Sequence, residues 1–473
     1  MRRTAMAAAL VATATATALA ATGTASAAAP TPPRTPPTDF NHDGYADLAV
    51  TAPYATIGGK PYAGYVAVVY GSKNGPDREH AAVIDRNTDG VPGGIEKNGT
   101  FGSGATAGDL DGDGFTDLVV SSKYGSKALL LWGSRDGLTG ASAQLEANSS
   151  LFTTGDFNGD GHRDLVSNLY SADDETQAGM VVSYGPFTRA GNPARKEAIR
   201  TNTYYRPTSL VPGDLNGDGV DDLVTSHDSL EPARPARFWK GTDGGLSTTS
   251  HAYLKPSLGG AVADVDGDGY GDFVTRDNGS SNDDNDREKG TVRVDYGSKE
   301  GPAATRTKKI TQDSPGVPGV GETGDRFGAD ISAGDVNGDG FADVAVGVPG
   351  EDIGSGSGRV TDAGSVVLLK GARSGLSGAG AQAFDQSKPG VPGASEAEDW
   401  FGHRVLLSDV NGDKRADLTV TAHGEDGAME NSGAAWVFPG ARAGVTTTGL
   451  VSFGPKGLGA PEDYAHFGQD VGR

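Results

Sequence analysis

One nine-residue acidic loop, written seven times along 473 residues, constrains this chain more than any other feature. The sixth copy reads Asp335-Val336-Asn337-Gly338-Asp339-Gly340-Phe341-Ala342-Asp343, with oxygen side chains at positions 1, 3, 5 and 9 and glycine at 6. Calcium takes six to eight oxygens at about 2.3–2.6 Å, and alternate positions of a tight loop turn such oxygens inward. Glycine at position 6 permits the sharp turn, and the main-chain carbonyl at position 7 is placed to add a ligand. The predicted metal-ligating sets are Asp39, Asn41, Asp43, Tyr45 and Asp47, then Asp109, Asp111, Asp113, Phe115 and Asp117. They continue with Asp156, Asn158, Asp160, His162 and Asp164, and with Asp214, Asn216, Asp218, Val220 and Asp222. The last three are Asp264, Asp266, Asp268, Tyr270 and Asp272; Asp335, Asn337, Asp339, Phe341 and Asp343; and Asp409, Asn411, Asp413, Arg415 and Asp417. In each set the fourth member acts through its carbonyl. Up to seven structural Ca²⁺ ions are therefore expected. Lys414 replaces the position-6 glycine in the final copy, so that site is expected to be the weakest or most distorted.

A helical calcium hand begins the same way but needs an acid at position 12 and flanking helices. Position 12 of the sixth copy is Val346, inside the short apolar run Val344-Ala345-Val346-Gly347-Val348-Pro349, which predicts a strand. Each loop is followed by such a run, a variable polar loop, a second strand ending near a glycine turn, and a less regular strand. The next unit opens with its own strand, carrying Phe101-Gly102, Phe327-Gly328 or Phe401-Gly402 in the long repeats.

Four strands per unit, repeated seven times, predict an all-β fold: a seven-bladed β-propeller of four-stranded blades. Residues 1–27 carry Arg2 and Arg3, an Ala-, Leu- and Val-rich run and Ala25-Ser26-Ala27, the pattern of a secretory signal peptide. Residues 28–38 form a Pro-rich linker and 39–473 the propeller. The first unit starts at Asp39 with no Phe-Gly strand before it, whereas Phe467-Gly468 near the other end has no loop after it. Residues 467–473 are expected to complete the first blade and close the ring.

The formal charge is −22, and 23 aspartates stand at the ligand positions. The acidity is thus mainly metal-binding in kind. Basic residues form no patch, which argues against nucleic acid, and no stretch beyond the targeting segment is long and apolar enough to span a bilayer. There is no cysteine, so neither disulfides nor thiolate metal sites are available.

Phe327-Gly328, loop 335–343 and Val346-Gly347-Val348-Pro349, in that order, resemble the FG-GAP repeat family, best known from integrin alpha-subunit head propellers. Phe401-Gly402, loop 409–417 and Thr421-Ala422-His423 form a second copy, and Thr51-Ala52-Pro53 a degraded third. The resemblance covers about 39–473. It implies calcium loops on one rim and partner binding on the opposite face, through loops 54–63, 91–101, 170–178, 227–237, 276–289, 315–327, 349–363, 389–401, 423–432 and 457–467. A secreted, monomeric, non-catalytic adhesion module for an extracellular protein or glycan is the leading expectation. A lectin with sugar pockets between blades is the alternative, and a hydrolase or lyase the third reading. Tyr54, Tyr62, Trp400 and Tyr464 stand near the binding face and are candidates to stack on sugars, or to pack on inter-blade turns. The eight histidines read as surface or packing residues, and the run 282–286 as a solvated acidic loop.

Overall fold

Each acidic loop hands directly into an apolar run, and those runs become the second strand of six four-stranded sheets and the first strand of a three-stranded one. The structure, a computed structural model, describes residues 38–122, 127–146, 151–169, 178–201, 207–227, 234–278 and 288–473. The signal-peptide segment, the linker up to 37, the acidic run 282–286 and parts of the predicted binding loops 170–178, 227–237 and 276–289 lie outside the described residues.

The sixth blade shows the plan. Ile331–Gly334, Asp343–Val348, Ser365–Lys370 and Ser377–Phe384 pair antiparallel in that order. Asp343–Val348 is buried along its whole length because both of its faces meet neighbours. Val344, Val346 and Val348 pack with Val294 and Phe327 on one side, while Ala345 packs with Val420 and Trp436 on the other. A strand buried on two faces reads as a continuous apolar run, not an alternating one. The outer strand Ser377–Phe384 is only partly covered. Six sheets have four strands; the first has three, Leu48–Ala52, Tyr65–Tyr70 and Asp77–Ile84.

The seven blades stand in a ring, as expected. Their inner strands follow one another in chain order: Ala105–Gly108, Phe152–Gly155, Pro207–Gly213, Ser257–Ala263, Ile331–Gly334 and Arg404–Ser408, each beside the next. Between the last of these and the first lies the segment 470–473. Gly472 N–H donates to Ala49 O at 2.8 Å, Thr51 N–H to Asp470 O at 3.0 Å, and Ala107 N–H to Arg473 O at 2.7 Å. This segment makes one bridge, Val50 opposite Val471, and no regular strand. Among the described residues no helix is long and apolar enough to cross a membrane.

The Phe-Gly pairs are not part of the inner strands, contrary to the sequence expectation. Gly102, Gly328, Gly402 and Gly468 have φ between 90° and 92°, which breaks the strand before it starts. Each phenylalanine is fully buried, and its N–H donates to the preceding blade at Ala63, Lys289, Ala363 or Ser432. A second glycine, Gly64, Gly290, Gly364 or Gly433, faces each phenylalanine carbonyl so closely that a Cβ would stand 2.2 Å from that oxygen. Four copies of this lock join consecutive blades. Replacing Gly364 with alanine, at φ 87°, is expected to cost roughly 2–4 kcal/mol, from backbone strain plus the clash. Urea unfolding of Gly364→Ala beside the exposed control Gly358→Ala would measure it.

Candidate functional site

The seven acidic loops share a hydrogen-bond pattern that turns their carboxylates inward. The position-1 carboxylate accepts the N–H of position 6 in every copy, from Gly44 to Asp39 at 2.9 Å through Lys414 to Asp409 at 2.8 Å. Position 5 accepts the N–H of position 7 at 2.9–3.1 Å. These bonds form the turn without help from side chains elsewhere.

Position 9 does more than close the loop. Asp47, Asp117, Asp164, Asp222, Asp272, Asp343 and Asp417 are at most 1% exposed. One oxygen of each accepts the N–H of position 2, at 2.8–3.3 Å. The other accepts an N–H from the turn after the third strand, at Gly71, Gly133, Gly185, Gly241, Gly297, Gly371 or Gly440, at 2.8–3.0 Å. Position 9 therefore staples the loop to its own blade. Burial pushes Asp47 and Asp117 up to about 8, Asp164, Asp222, Asp272 and Asp417 to about 7, and Asp343 to about 6, while the two N–H bonds pull the other way.

The loops are also tied to one another. The N–H of position 8 donates to the position-1 carbonyl of the preceding loop at six junctions: Thr116 to Asp39, Asp221 to Asp156, Gly271 to Asp214, Ala342 to Asp264, Ala416 to Asp335 and Ala46 to Asp409. The last of these joins the seventh loop to the first, 3.0 Å apart. Glycine at position 4 makes room for the position-7 side chain of the next loop, as Gly267 does for Phe341 and Gly412 for Tyr45. The first loop has His42 there instead, at φ 58°, its ring edge-on to Phe115.

Whether these residues suit a divalent cation can be tested loop by loop. Carboxylate oxygens of Asp109, Asp111 and Asp117, and of Asp264, Asp266 and Asp268, gather within 4.8 Å of one another. These are the two copies with aspartate at position 3. In the second, Asp266 Oδ1 is sealed from solvent and has no hydrogen-bond partner, an oxygen that a cation would satisfy. An arginine also sits on positions 3 and 5 of both: Arg189 on Asp111 and Asp113, Arg306 on Asp266 and Asp268 at 2.9 and 3.1 Å. In the other five the position-3 asparagine donates its amide to a neighbouring aspartate, such as Asn41 to Asp43 at 3.0 Å and Asn411 to Asp417 at 2.9 Å. Its amide oxygen remains a neutral ligand. The donor set, all oxygen with three or four carboxylates per loop, fits a hard cation.

Lys414 adopts φ 70° and takes the same bond as the glycines it replaces. A left-handed non-glycine residue costs roughly 1–2 kcal/mol. Lys414→Gly is expected to stabilise the protein by about 1 kcal/mol, part of the gain being lost to a freer unfolded chain. Thermal unfolding of the two proteins at equal calcium would show it as a raised midpoint.

Residues 34–69, 327–369 and 401–438 match the FG-GAP repeat family, and 109–167 and 156–225 match the FG-GAP-like repeat. Integrin alpha-PS5 of Drosophila melanogaster is 38% identical over 96 residues, which cover 20% of this chain and 9% of that protein. The chain is an integrin-alpha-like FG-GAP propeller. Phosphatidylinositol-glycan-specific phospholipase D of Bos taurus is 35% identical over 97 residues, 20% of this chain and 11% of that enzyme. The propeller thus matches about a tenth of the length of each relative. A solved Dos1 propeller is 11% identical, with a TM-score of 0.38, over 75% of this chain and 72% of that one.

On the other face of the FG-GAP propeller, the loops joining second and third strands meet the connections between blades. The residue before each Phe-Gly is left-handed: Thr100, Arg326, Trp400 and His466 have φ of 44°, 59°, 55° and 46°. The facing Tyr62, Asp362 and Asn431 are left-handed as well, and each accepts the N–H of one of them. Strained residues of this kind concentrate at functional surfaces. Between the seventh and first blades, side chains from these places form one connected set of rings. Trp400 stacks on His423 at 4.8 Å, His423 lies near His403 and His466, and Tyr54 bridges His466 at 5.4 Å and Tyr62 at 5.9 Å. Tyr62 is 43% exposed and Tyr464 50%. The structure thus brings Tyr54, Tyr62 and Trp400 together at one junction. It also brings in three histidines that sequence reasoning treated separately.

Proposed function

We propose that this FG-GAP propeller is a secreted, non-catalytic binding module, held by structural calcium along its loop rim, that engages an extracellular protein or glycan through the opposite face. The observation that carries the ligand side is the aromatic junction of Tyr54, Tyr62 and Trp400, where strained backbone presents large rings beside exposed Tyr62 and Tyr464. The relationship to integrin alpha-PS5 supports a protein as ligand. The exposed rings support a glycan, and they favour one site at this junction over a series of equivalent pockets between blades.

On the rim, side chains at positions 1, 3, 5 and 9 and the carbonyl at 7 would hold each ion. Calcium would neutralise carboxylates that burial makes costly to ionise. Positions 1 and 9 would transmit that order to the next loop and to the third-strand turn through the bonds described above. Export follows from the charged start, apolar run and small-residue site of residues 1–27. A hydrolase reading has the phospholipase relative as its support, and the stretch shared with it is 11% of that enzyme.

The test is an array of glycans and extracellular matrix proteins probed in calcium with the wild-type protein and with Tyr62→Ala/Trp400→Ala. The wild type is expected to retain a ligand that the double variant loses while keeping its unfolding midpoint. A ligand held equally by both proteins would refute the assignment of the face.

A further inference from the structure

Three imidazoles meet at the junction of the seventh and first blades, outside the aspartate rim. The ring centroids of His403 and His423 are 4.0 Å apart, and those of His423 and His466 are 5.7 Å apart. The scaffold does not require histidine at any of these places. His403 follows a Phe-Gly pair, where the other copies have Ser103, Ala329 and Gln469. His423 stands where other repeats have Pro53 and Pro349, and His466 where they have Thr100, Arg326 and Trp400. Three repeat positions with unrelated occupants elsewhere carry the same ligating residue where they converge.

Each ring also has a nitrogen that nothing in the protein satisfies. His403 Nε2, His423 Nδ1 and His466 Nδ1 are sealed from solvent and have no hydrogen-bond partner. An orphaned buried polar atom costs about 1–3 kcal/mol, and three on neighbouring rings call for a shared occupant. Burial holds the rings neutral, with His403 pushed down to about 3 and His423 to about 2, and His466 lowered as well. Neutral imidazole is the form that binds metal. Two arginines, Arg404 and Arg326, act on His403, and Arg404 is paired with Asp470 at 3.1 Å.

We propose that His403, His423 and His466 form a site for one divalent transition-metal ion of the zinc type. Around a tetrahedral ion with metal–nitrogen bonds of about 2.0–2.1 Å, imidazole centroids lie roughly 5 Å apart. The observed 4.0 and 5.7 Å bracket that value; the ring nitrogens do not yet gather within 4.8 Å of one another, so the rings must turn to face one ion. Calcium prefers oxygen and does not compete for three nitrogens. Trp400 stacked on His423 and Tyr54 against His466 wall the site. Three protein ligands leave a fourth position for water or a donor atom of a bound molecule.

The test is isothermal titration with Zn²⁺ in excess calcium at pH 7.5, which keeps the rim from reporting, with Co²⁺ absorption as a second readout. One Zn²⁺ per chain is expected, with micromolar or tighter affinity and the visible bands of low-coordinate cobalt. His423→Ala and His466→Gln are each expected to lose more than the roughly 100-fold that loss of a supporting hydrogen bond costs. Their zinc-free unfolding transitions are recorded beside the wild type, so that a loss of binding is scored only in a variant that still unfolds cooperatively. His80→Ala, at an exposed histidine, is expected to change nothing. No saturable Zn²⁺ binding by the wild type, or binding kept by both variants, would overturn the assignment.

Discussion

Stripping divalent metal from this propeller with EGTA at pH 7.5 is expected to lower its unfolding midpoint by about 10–20 °C. At calcium concentrations tenfold above its dissociation constant, each site adds roughly 1.4 kcal/mol to the folded state. Seven such sites add about 10 kcal/mol, comparable to the whole stability of an ordinary domain. A midpoint shift of 1–2 °C per kcal/mol is in scale for a ring of this size.

The same experiment has a pH signature whose sign is fixed by position 9. Burial raises all seven of those carboxylates, to between about 6 and 8, above their unfolded value. Between roughly pH 4 and 8 the metal-free folded state therefore holds protons that the unfolded chain releases, and its stability falls as pH rises through that window. In EGTA the midpoint is expected to drop by several degrees from pH 5.5 to 8. In calcium the slope is expected to flatten or reverse, because metal binds the deprotonated loops. Differential scanning calorimetry at matched ionic strength separates the two. Equal slopes with and without calcium would contradict metal binding at these aspartates.

Arg293→Met is expected to cost about 3–5 kcal/mol although it lies far from any proposed ligand. Arg293 is fully buried in the fifth blade and grips Asp295 with two bonds, at 2.9 and 3.1 Å. It also donates to Pro256 O at 2.8 Å and Lys255 O at 3.0 Å, and pairs with Asp277. Asp277 has a second partner in Lys309, but no other ion pair reaches Asp295 among the described residues. Burial already raises the pKa of Asp295 against the pull of the arginine. Removing the guanidinium leaves that carboxylate buried and unpaired, the costly half of a broken ion pair. Arg293→Met/Asp295→Leu is expected to recover most of the loss, since an apolar replacement of the pair is close to neutral. Urea midpoints of the three proteins decide it. A single variant losing less than about 1 kcal/mol would show that the pair is not load-carrying in this sense.

The blades and rim were legible in the sequence because their chemistry is local. Oxygen side chains two residues apart, glycine at the turn and an apolar run directly after it specify a loop and a strand whatever the rest of the chain does. What stayed hidden depends on distant partners. The second bond of Asp343 goes to Gly371, and the carbonyl of Asp409 is matched to Ala46 across the whole length of the propeller. Phe327-Gly328 reads as the start of a strand, but the close approach of Gly290 forces Gly328 to φ 90° and ends regular pairing there. His403, His423 and His466 read as three separate surface or packing residues. Pairing of Arg404–Ser408 with Asp417–Ala422 brings the first two rings together, and the connection to the first blade adds His466. A comparison of repeat copies would have offered the one available hint, histidine standing where Pro53 and Pro349 stand elsewhere.

Counting bound calcium tests the account at its centre. The protein, stripped and then equilibrated by dialysis against about 1 mM ⁴⁵Ca²⁺, is predicted to hold six to seven ions per chain, with the loop containing Lys414 filling last. A native protein that binds none or only one would contradict it.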